Sequence, residues 1–246
     1  MTTFLTVPCF NEANRWDVNY WRGVVGTSGV TCVFVDDGSE DETGHLVNEV
    51  CSGTPSRVMS QSKNQGKAEA VRRGMQWSLS RADDSDVVGF MDADGAFHVS
   101  DLERLIRLCE AKFDQEEWDA IWSSRVALSG RVIGRSARRH YLGRIVATLL
   151  FGVRSDVPYD TQSGLKLFRP SQDLQLMLSS PFQTRWLFEV ELLHRYQSYL
   201  KSPLRVWEEP LMFWSEIPGS KIRGNEAIRV ASEILTVKRL FRNLSR

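Results

Sequence analysis

Short apolar runs alternate with helix-length stretches through the first half of the chain, and nearly every run ends in a polar or acidic cluster. Phe4–Val7 is the first run, ended by Pro8. Thr31–Val35 stops at Asp36-Asp37-Gly38-Ser39, and Arg57–Ser60 is a weaker third. Asp86–Met91 runs into Asp92-Ala93-Asp94-Gly95, and Ala120–Ser123 is the fifth. Runs of this length bounded by turn residues read as buried strands. Between them lie amphipathic segments: one to about Val25, one from Asp41-Glu42 to Cys51, and one over Gly66–Ser80 with Ala68, Val71, Met75 and Leu79 on one face. A fourth runs to Lys112, with Ser100 as its expected cap and Glu103 in the capping-box position. Strands alternating with helices predict crossover units, a parallel sheet and a Rossmann-like layered half.

The second half is patterned differently. Arg125–Arg139 carries five arginines and little apolar periodicity, and a helix is expected over Ala137–Phe151. Tyr159–Gly164 is polar and leads into a short strand, Leu165–Arg169. A helix follows Pro170, and Trp186–Tyr199 reads as a strongly amphipathic helix carrying Glu189 and Glu191. Leu204–Pro210 is a strand, Trp214–Gly224 a loop with a Pro-Gly turn, and Glu226–Leu244 a last helix mixing apolar residues with Arg229, Lys238, Arg239 and Arg242. The pattern divides the chain into 1–124, 125–224 and the terminal helix 225–246.

Composition narrows the classes without choosing among them. The 246 residues can bury a sizeable core. Lysine plus arginine equal aspartate plus glutamate at 31 each, so no global field argues for nucleic acid as a partner. Cys9, Cys32, Cys51 and Cys109 form no C-x-x-C pair and read as reduced thiols of a cytoplasmic chain. The longest apolar stretch, Ile145–Val153, is closed by Arg144 and Arg154 and is too short to span a bilayer, which implies a soluble or peripheral protein.

The chemistry concentrates where strands end. Side chains at i and i+2 of an extended segment point the same way, so Asp92 and Asp94 can face one ligand at the open edge of a parallel sheet. Oxygen-only ligands suit Mg²⁺ or Mn²⁺, which commonly bridge protein carboxylates and substrate phosphates. A D-x-D alone is also an ordinary polar turn. The surrounding set changes that balance: Pro8-Cys9-Phe10-Asn11-Glu12, Asp36-Asp37-Gly38-Ser39, Lys63-Asn64-Gln65-Gly66-Lys67 and Asp92-Ala93-Asp94 stand in register over the first hundred residues. Together they closely resemble the inverting glycosyltransferases of family 2, with the α/β GT-A fold. Asp160-Thr161-Gln162-Ser163-Gly164-Leu165-Lys166-Leu167-Phe168, Arg185-Trp186-Leu187-Phe188-Glu189-Val190-Glu191-Leu192-Leu193 and Trp214–Lys221 are similar to the dolichyl-phosphate β-glucosyltransferase branch. Two departures bear on the lipid acceptor: Ser163 stands where that branch usually has cysteine, and the membrane-spanning segment many relatives carry does not occur in the sequence.

The resemblance implies a Rossmann-like donor half, an acceptor-side catalytic half within the same GT-A domain, and a terminal amphipathic helix. It assigns nucleoside contacts to Asp37 and Asp92, with Pro8, Glu12 and Lys67 also on the donor side, and the divalent cation to Asp94 with Asp92. His98 could be a further ligand, although a lone histidine near a helix start is more often a surface or capping residue. Asp160 is the expected catalytic carboxylate, acting as base for a hydroxyl acceptor or as an orienting group for a phosphate. Arg185 and Trp186 are expected on the acceptor side. Arginines near Arg125, Arg135 and Arg139 bind the acceptor phosphate in that branch; a run of arginines is otherwise a solvated face, with Arg131 and Arg138 completing it.

The implied reaction is hexose transfer, glucose from UDP-glucose, to a polyprenyl-phosphate acceptor. A soluble glycan, protein or small-molecule acceptor, a GDP-mannose donor, and a non-catalytic sugar-nucleotide-binding protein remain as rivals. A dinucleotide oxidoreductase is disfavoured because no G-x-G-x-x-G follows the first strand. The last helix fits either the inner face of an anionic membrane or packing on the domain or on a second subunit of a homodimer.

Overall fold

Seven strands from both halves of the chain form one sheet in the order β3-β2-β1-β4-β7-β5-β8. They are β1 (Thr3–Cys9), β2 (Val30–Asp36), β3 (Arg57–Ser60), β4 (Val87–Met91), β5 (Ala120–Ser124), β7 (Leu165–Phe168) and β8 (Val206–Pro210). This computed structural model describes residues 1–114, 117–134, 157–217 and 226–242, with side chains of the final helix from 232 to 240. The neighbours in the sheet pair in parallel, except β7, which runs antiparallel to both β4 and β5. Strands covered on both faces need apolar side chains on both, which is why β4 is a continuous run, Val-Val-Gly-Phe-Met, with every residue buried.

The alternation of β1 and β4 divides the core between the two faces. Leu5, Val7, Val87 and Met91 pack with Trp21, Phe34, Leu102 and Leu105 from the side of α1 (Val18–Val25), α2 (Thr43–Cys51) and α4 (Val99–Phe113). Val88 and Phe90 face α3 (Lys67–Leu79) and α6 (Phe188–Arg195), packing with Met75, Leu79, Trp122 and Phe188. A short α5 (Gln172–Met177) is capped by Ser171, whose side chain accepts from Leu174 N.

Several local expectations change. Pro8 does not follow β1 but lies inside it, opposite Val35 of β2. The pairing of β1 with β4 stops at Thr6, so on that side no ladder partner asks for the missing N–H. The cap of α4 is His98, not Ser100: its Nδ1 accepts from the Ser100 amide at 3.3 Å and lies 2.7 Å from the Ser100 hydroxyl. The helix expected from Trp186 starts at Phe188, and past Arg195 it widens into a π turn, Tyr196–Leu200, closed by Lys201 at φ 56°. Part of the expected 214–224 loop is a strand, β9 (Phe213–Ser215), paired in parallel with β6 (Val132–Gly134). The final helix, α7, spans Glu226–Arg242. The helix expected over 137–151 and the Pro-Gly turn at 218–219 lie outside the described residues.

Candidate active site

The parallel strands β1, β2 and β4 all end at the same edge, so the segments after Cys9, Asp36 and Met91 converge there. On the next strand over, antiparallel β7 begins at this edge, which brings the Asp160–Gly164 segment beside the D-x-D turn. The Asp92 amide donates to Gly164 O at 2.9 Å. Only glycine allows this approach: a Cβ at residue 164 would stand 2.1 Å from Asp92 Oδ2. From the other side the Lys67 ammonium, at the start of α3, lies 2.7 Å from Asp92 Oδ1. Burial opposes the charge of Lys67, but Asp92, Glu189 and Asp94 outweigh it and hold the ammonium above the usual lysine range.

Asp94 accepts from the Ala96 amide at 3.1 Å. Burial pushes its carboxyl up, and Asp92 adds to that, against the pull of the Ala96 amide, Arg15 and Lys67. A carboxylate raised by burial and by a neighbouring carboxylate is relieved by a cation bound between them. Among the described residues no group of three His, Cys, Asp or Glu side chains is placed to hold a metal. Asp92 and Asp94 offer oxygen donors alone, which suits an ion completed by substrate oxygens and water, the habit of Mg²⁺ and Mn²⁺. His98 is exposed and used as a helix cap, and its ring lies 5.4 Å from that of Phe213.

After β2, Asp37 is 2% exposed and grips the loop that leads into α3. Its Oδ1 accepts from Gln65 N at 2.8 Å and its Oδ2 from Gly66 N at 2.7 Å. Burial raises its carboxyl, and these two amides and Arg185 oppose the shift. Glu12, also buried, is held by Arg15 three residues on, with Arg15 Nη2 2.8 Å from Oε1 and Nε on Oε2. Arg15 also acts electrostatically on Asp94 and Asp92, a cation that sequence reasoning passed over. The i,i+3 spacing of Glu12 and Arg15 was the available signal.

On the far side of Gly164, Asp160 is 6% exposed and bound in two-pronged fashion by Arg125. Arg125 Nε reaches Oδ2 and Nη2 reaches Oδ1, both at 2.7 Å, and the Arg125 amide adds a 3.0 Å bond to Oδ2. Glu208 accepts from the amides of Tyr159 and Asp160 at 2.6 Å each, and burial raises its carboxyl. The Arg125 guanidinium carbon is 5.3 Å from the Trp214 ring centroid. Ser163, where the resemblance leads one to expect cysteine, forms a buried hydroxyl pair with Ser123 at 2.6 Å.

Beneath the edge lies a charge cluster that the sequence reading did not assign. Lys166 on β7 is fully buried, donates to Ser163 O, and stands 3.8 Å from Glu189 Oε1. Its ammonium is 4.7 Å from the Trp122 ring and 5.4 Å from that of Phe90. Burial brings its pKa down to about 8. Glu189 is buried as well, its carboxyl raised by burial, and among the described residues its Oε2 has no hydrogen-bond partner.

Of the expected acceptor-side residues, Trp186 is 38% exposed, whereas the Arg185 guanidinium reaches back to the loop before α3, Nη2 donating to Gln65 O at 3.3 Å. Arg131 donates to Met212 Sδ. Arg135, Arg138 and Arg139 lie outside the described residues. The structure thus brings Asp37, Lys67, Asp92, Asp94, Asp160 and Arg125 to one edge of one sheet, with Glu12 and Arg15 alongside.

Known proteins resemble this chain in sequence and in fold. The family model described as Glycosyl transferase family 2 matches residues 5–164. A dolichyl-phosphate β-glucosyltransferase of Saccharomyces cerevisiae is 30% identical over 96% of this chain and 74% of its own length. One from Trichomonas vaginalis is 30% identical over 85% of this chain, which spans 60% of that relative. A polyprenol monophosphomannose synthase of Mycolicibacterium smegmatis is 29% identical over 91% of this chain and 82% of its own. Among solved structures, glucosyl-3-phosphoglycerate synthase from Mycobacterium tuberculosis, crystallised with Mn²⁺, UDP and phosphoglyceric acid, superimposes with a TM-score of 0.66 at 18% identity. That match covers 96% of this chain and 76% of the other, and it shows a common GT-A fold. With the family model spanning the converging strand ends from Leu5 to Gly164, the chain belongs to glycosyltransferase family 2.

Proposed function

We propose that this protein transfers a hexose, glucose from UDP-glucose, to a polyprenyl-phosphate-type acceptor with inversion at the sugar carbon. The observation that carries the reading is the seating of the Asp160–Gly164 segment directly on Asp92, which joins a candidate donor-phosphate site to a candidate acceptor site. Asp37 shapes the loop that would receive the nucleoside, and Lys67 offers a cation to the diphosphate once Asp92 turns to other partners. Asp92 and Asp94 would hold Mg²⁺ or Mn²⁺, which supplies a Lewis acid for the leaving diphosphate.

The acceptor side favours an anionic partner. Both oxygens of Asp160 are engaged by Arg125, so removing a proton from a hydroxyl would first require that pair to open. An acceptor phosphate is already ionised and needs no base. It would meet the Arg125 N–H groups that remain beyond the two bonded to Asp160, so the pair need not open. Asp160 then orients Arg125 and the incoming nucleophile. The names of the yeast and Trichomonas relatives support the same acceptor class.

Among the described residues no helix is long and apolar enough to cross a membrane. The proposed encounter with a lipid phosphate is peripheral, at the cytoplasmic face. The polyprenol monophosphomannose synthase supports a second reading with GDP-mannose as donor. Calorimetric titration with UDP and GDP in Mn²⁺ tests the donor: tight GDP and absent UDP binding refutes the first reading in favour of the second. Transfer of labelled glucose to undecaprenyl phosphate, recovered in organic solvent, tests the acceptor. Label appearing only in water-soluble product would exclude a lipid acceptor.

A further inference from the structure

Five consecutive backbone amides before α6 (Phe188–Arg195) end on two carboxylates. Gln183 N and Thr184 N donate to Glu191, within the helix itself. Arg185 N donates to Glu233 Oε1 at 3.0 Å, and Trp186 N and Leu187 N donate to Glu233 Oε2 at 2.9 Å each. Glu233 belongs to α7 (Glu226–Arg242), so the last helix supplies the acceptor for the three amides next to α6, whose N-cap Leu187 has no side-chain cap of its own. Val237, one turn on, is fully buried, which seats α7 on the domain at this point.

The backbone so fixed carries Arg185 across to the donor loop. Its Nη2 donates to Gln65 O, and its Nε, Cδ and Cγ stand 3.1 to 3.4 Å from where a Cβ on Gly66 would be. Gly66 has φ 100°, and Asp37 holds the amides of the same two loop residues. The loop is thus gripped by Asp37 on one side and Arg185 on the other, and the second grip is anchored on the terminal helix.

We propose that Glu233 is a positioning residue for the donor pocket: by fixing the Arg185–Leu187 backbone it holds the Arg185 guanidinium against the Gln65–Gly66 loop. The inference rests on reading that pocket as a nucleoside-diphosphate site. It gives the last helix a part in donor binding that neither its sequence pattern nor a membrane contact requires.

The test is calorimetric titration of the full chain with UDP in Mn²⁺, with thermal unfolding recorded beside it. Glu233→Ala weakens UDP about tenfold, the loss expected when hydrogen bonds to a charged group go. Arg185→Ala weakens it comparably, and the double variant binds no worse than Arg185→Ala alone. Glu233→Gln, which keeps size but only one acceptor oxygen, falls between. Additive losses in the double variant, or unchanged UDP affinity in Glu233→Ala, overturn the inference. Should Glu233→Ala fail to fold, hydrogen exchange of the wild type decides: slow exchange at Arg185, Trp186 and Leu187 supports it, and free exchange at all three overturns it. A wild type that binds neither UDP nor GDP removes the functional reading and this inference together, whereas normal wild-type binding with an unaffected Glu233→Ala removes only the inference.

Discussion

Lys67 Nζ and Asp92 Oδ1 are 2.7 Å apart, so the first carboxylate of the D-x-D turn is neutralised by the protein's own cation. The pair is partly exposed, 22% and 30%, and can exchange partners without opening the core. On the proposed reading, Lys67 and a divalent cation would compete for Asp92 and cooperate on a diphosphate. Lys67→Met should shift the two affinities in opposite directions. Binding of Mn²⁺ alone, followed by electron paramagnetic resonance, should tighten several-fold, and binding of UDP with Mn²⁺ should weaken by about tenfold, the loss of one charge-assisted contact. A parallel loss of both would mean that Lys67 is only a support for the turn.

Gly164→Ala places a methyl group 2.1 Å from Asp92 Oδ2, against a carboxylate held by Lys67 on its other side. The turn has to shift, and the strain should cost about 1–3 kcal/mol of stability, as overpacking usually does. Donor binding should fall further than stability does, because the displaced group is the candidate ligand itself. Comparing the melting midpoint with UDP affinity separates the two. An alanine variant with normal affinity would show that Asp92 does not need its observed position.

Much of this site was readable before any coordinates. Strands covered on both faces leave uninterrupted apolar runs, so β1, β2 and β4 announced themselves, and the acidic residues after Asp36 and Met91 marked the open edge. Lys166 was not readable. In Leu-Lys-Leu-Phe it alternates like an outward-facing residue, yet β7 is internal to the sheet and all four residues are buried. Its counter-ion Glu189 lies on a helix whose charged residues suggested a solvated face, and only the tertiary fold brings the two together. The three-residue strands β6 and β9 pair across some eighty positions, which no local pattern records. Glu233 likewise gains its partners only when α7 meets the start of α6.

Arg125 and Asp160 form a nearly buried two-pronged pair, so the two residues should fail differently. Arg125→Ala leaves a buried carboxylate without its cation and should cost about 3–5 kcal/mol. Arg125→Lys keeps the charge but not the fork. It should fold with a smaller penalty, bind UDP normally, and raise the KM for the phosphate acceptor by at least tenfold. An unchanged acceptor KM in Arg125→Lys would take Arg125 out of the acceptor site and leave it as a structural partner of Asp160.

Lys166 makes stability depend on alkaline pH in a direction that can be worked out. Burial lowers its ammonium from 10.5 to about 8, although Glu189 opposes the shift. Between these values the unfolded chain holds a proton that the folded chain does not, so this group's contribution to stability rises as pH climbs through that window. The rise from pH 8 to pH 10 should be about 2 kcal/mol for a shift of this size. Buried tyrosines and cysteines act the other way at the same pH, since burial raises Tyr20, Cys32 and Tyr196. The comparison must therefore be with a variant that retains them. Lys166→Met combined with Glu189→Leu removes the pair without stranding either charge, and urea unfolding at the two pH values should show the wild type gaining on it by that amount. Equal pH slopes in the two proteins would mean that Lys166 keeps an ordinary lysine pKa, and that the buried cluster is screened by Glu189 more completely than their 3.8 Å separation suggests.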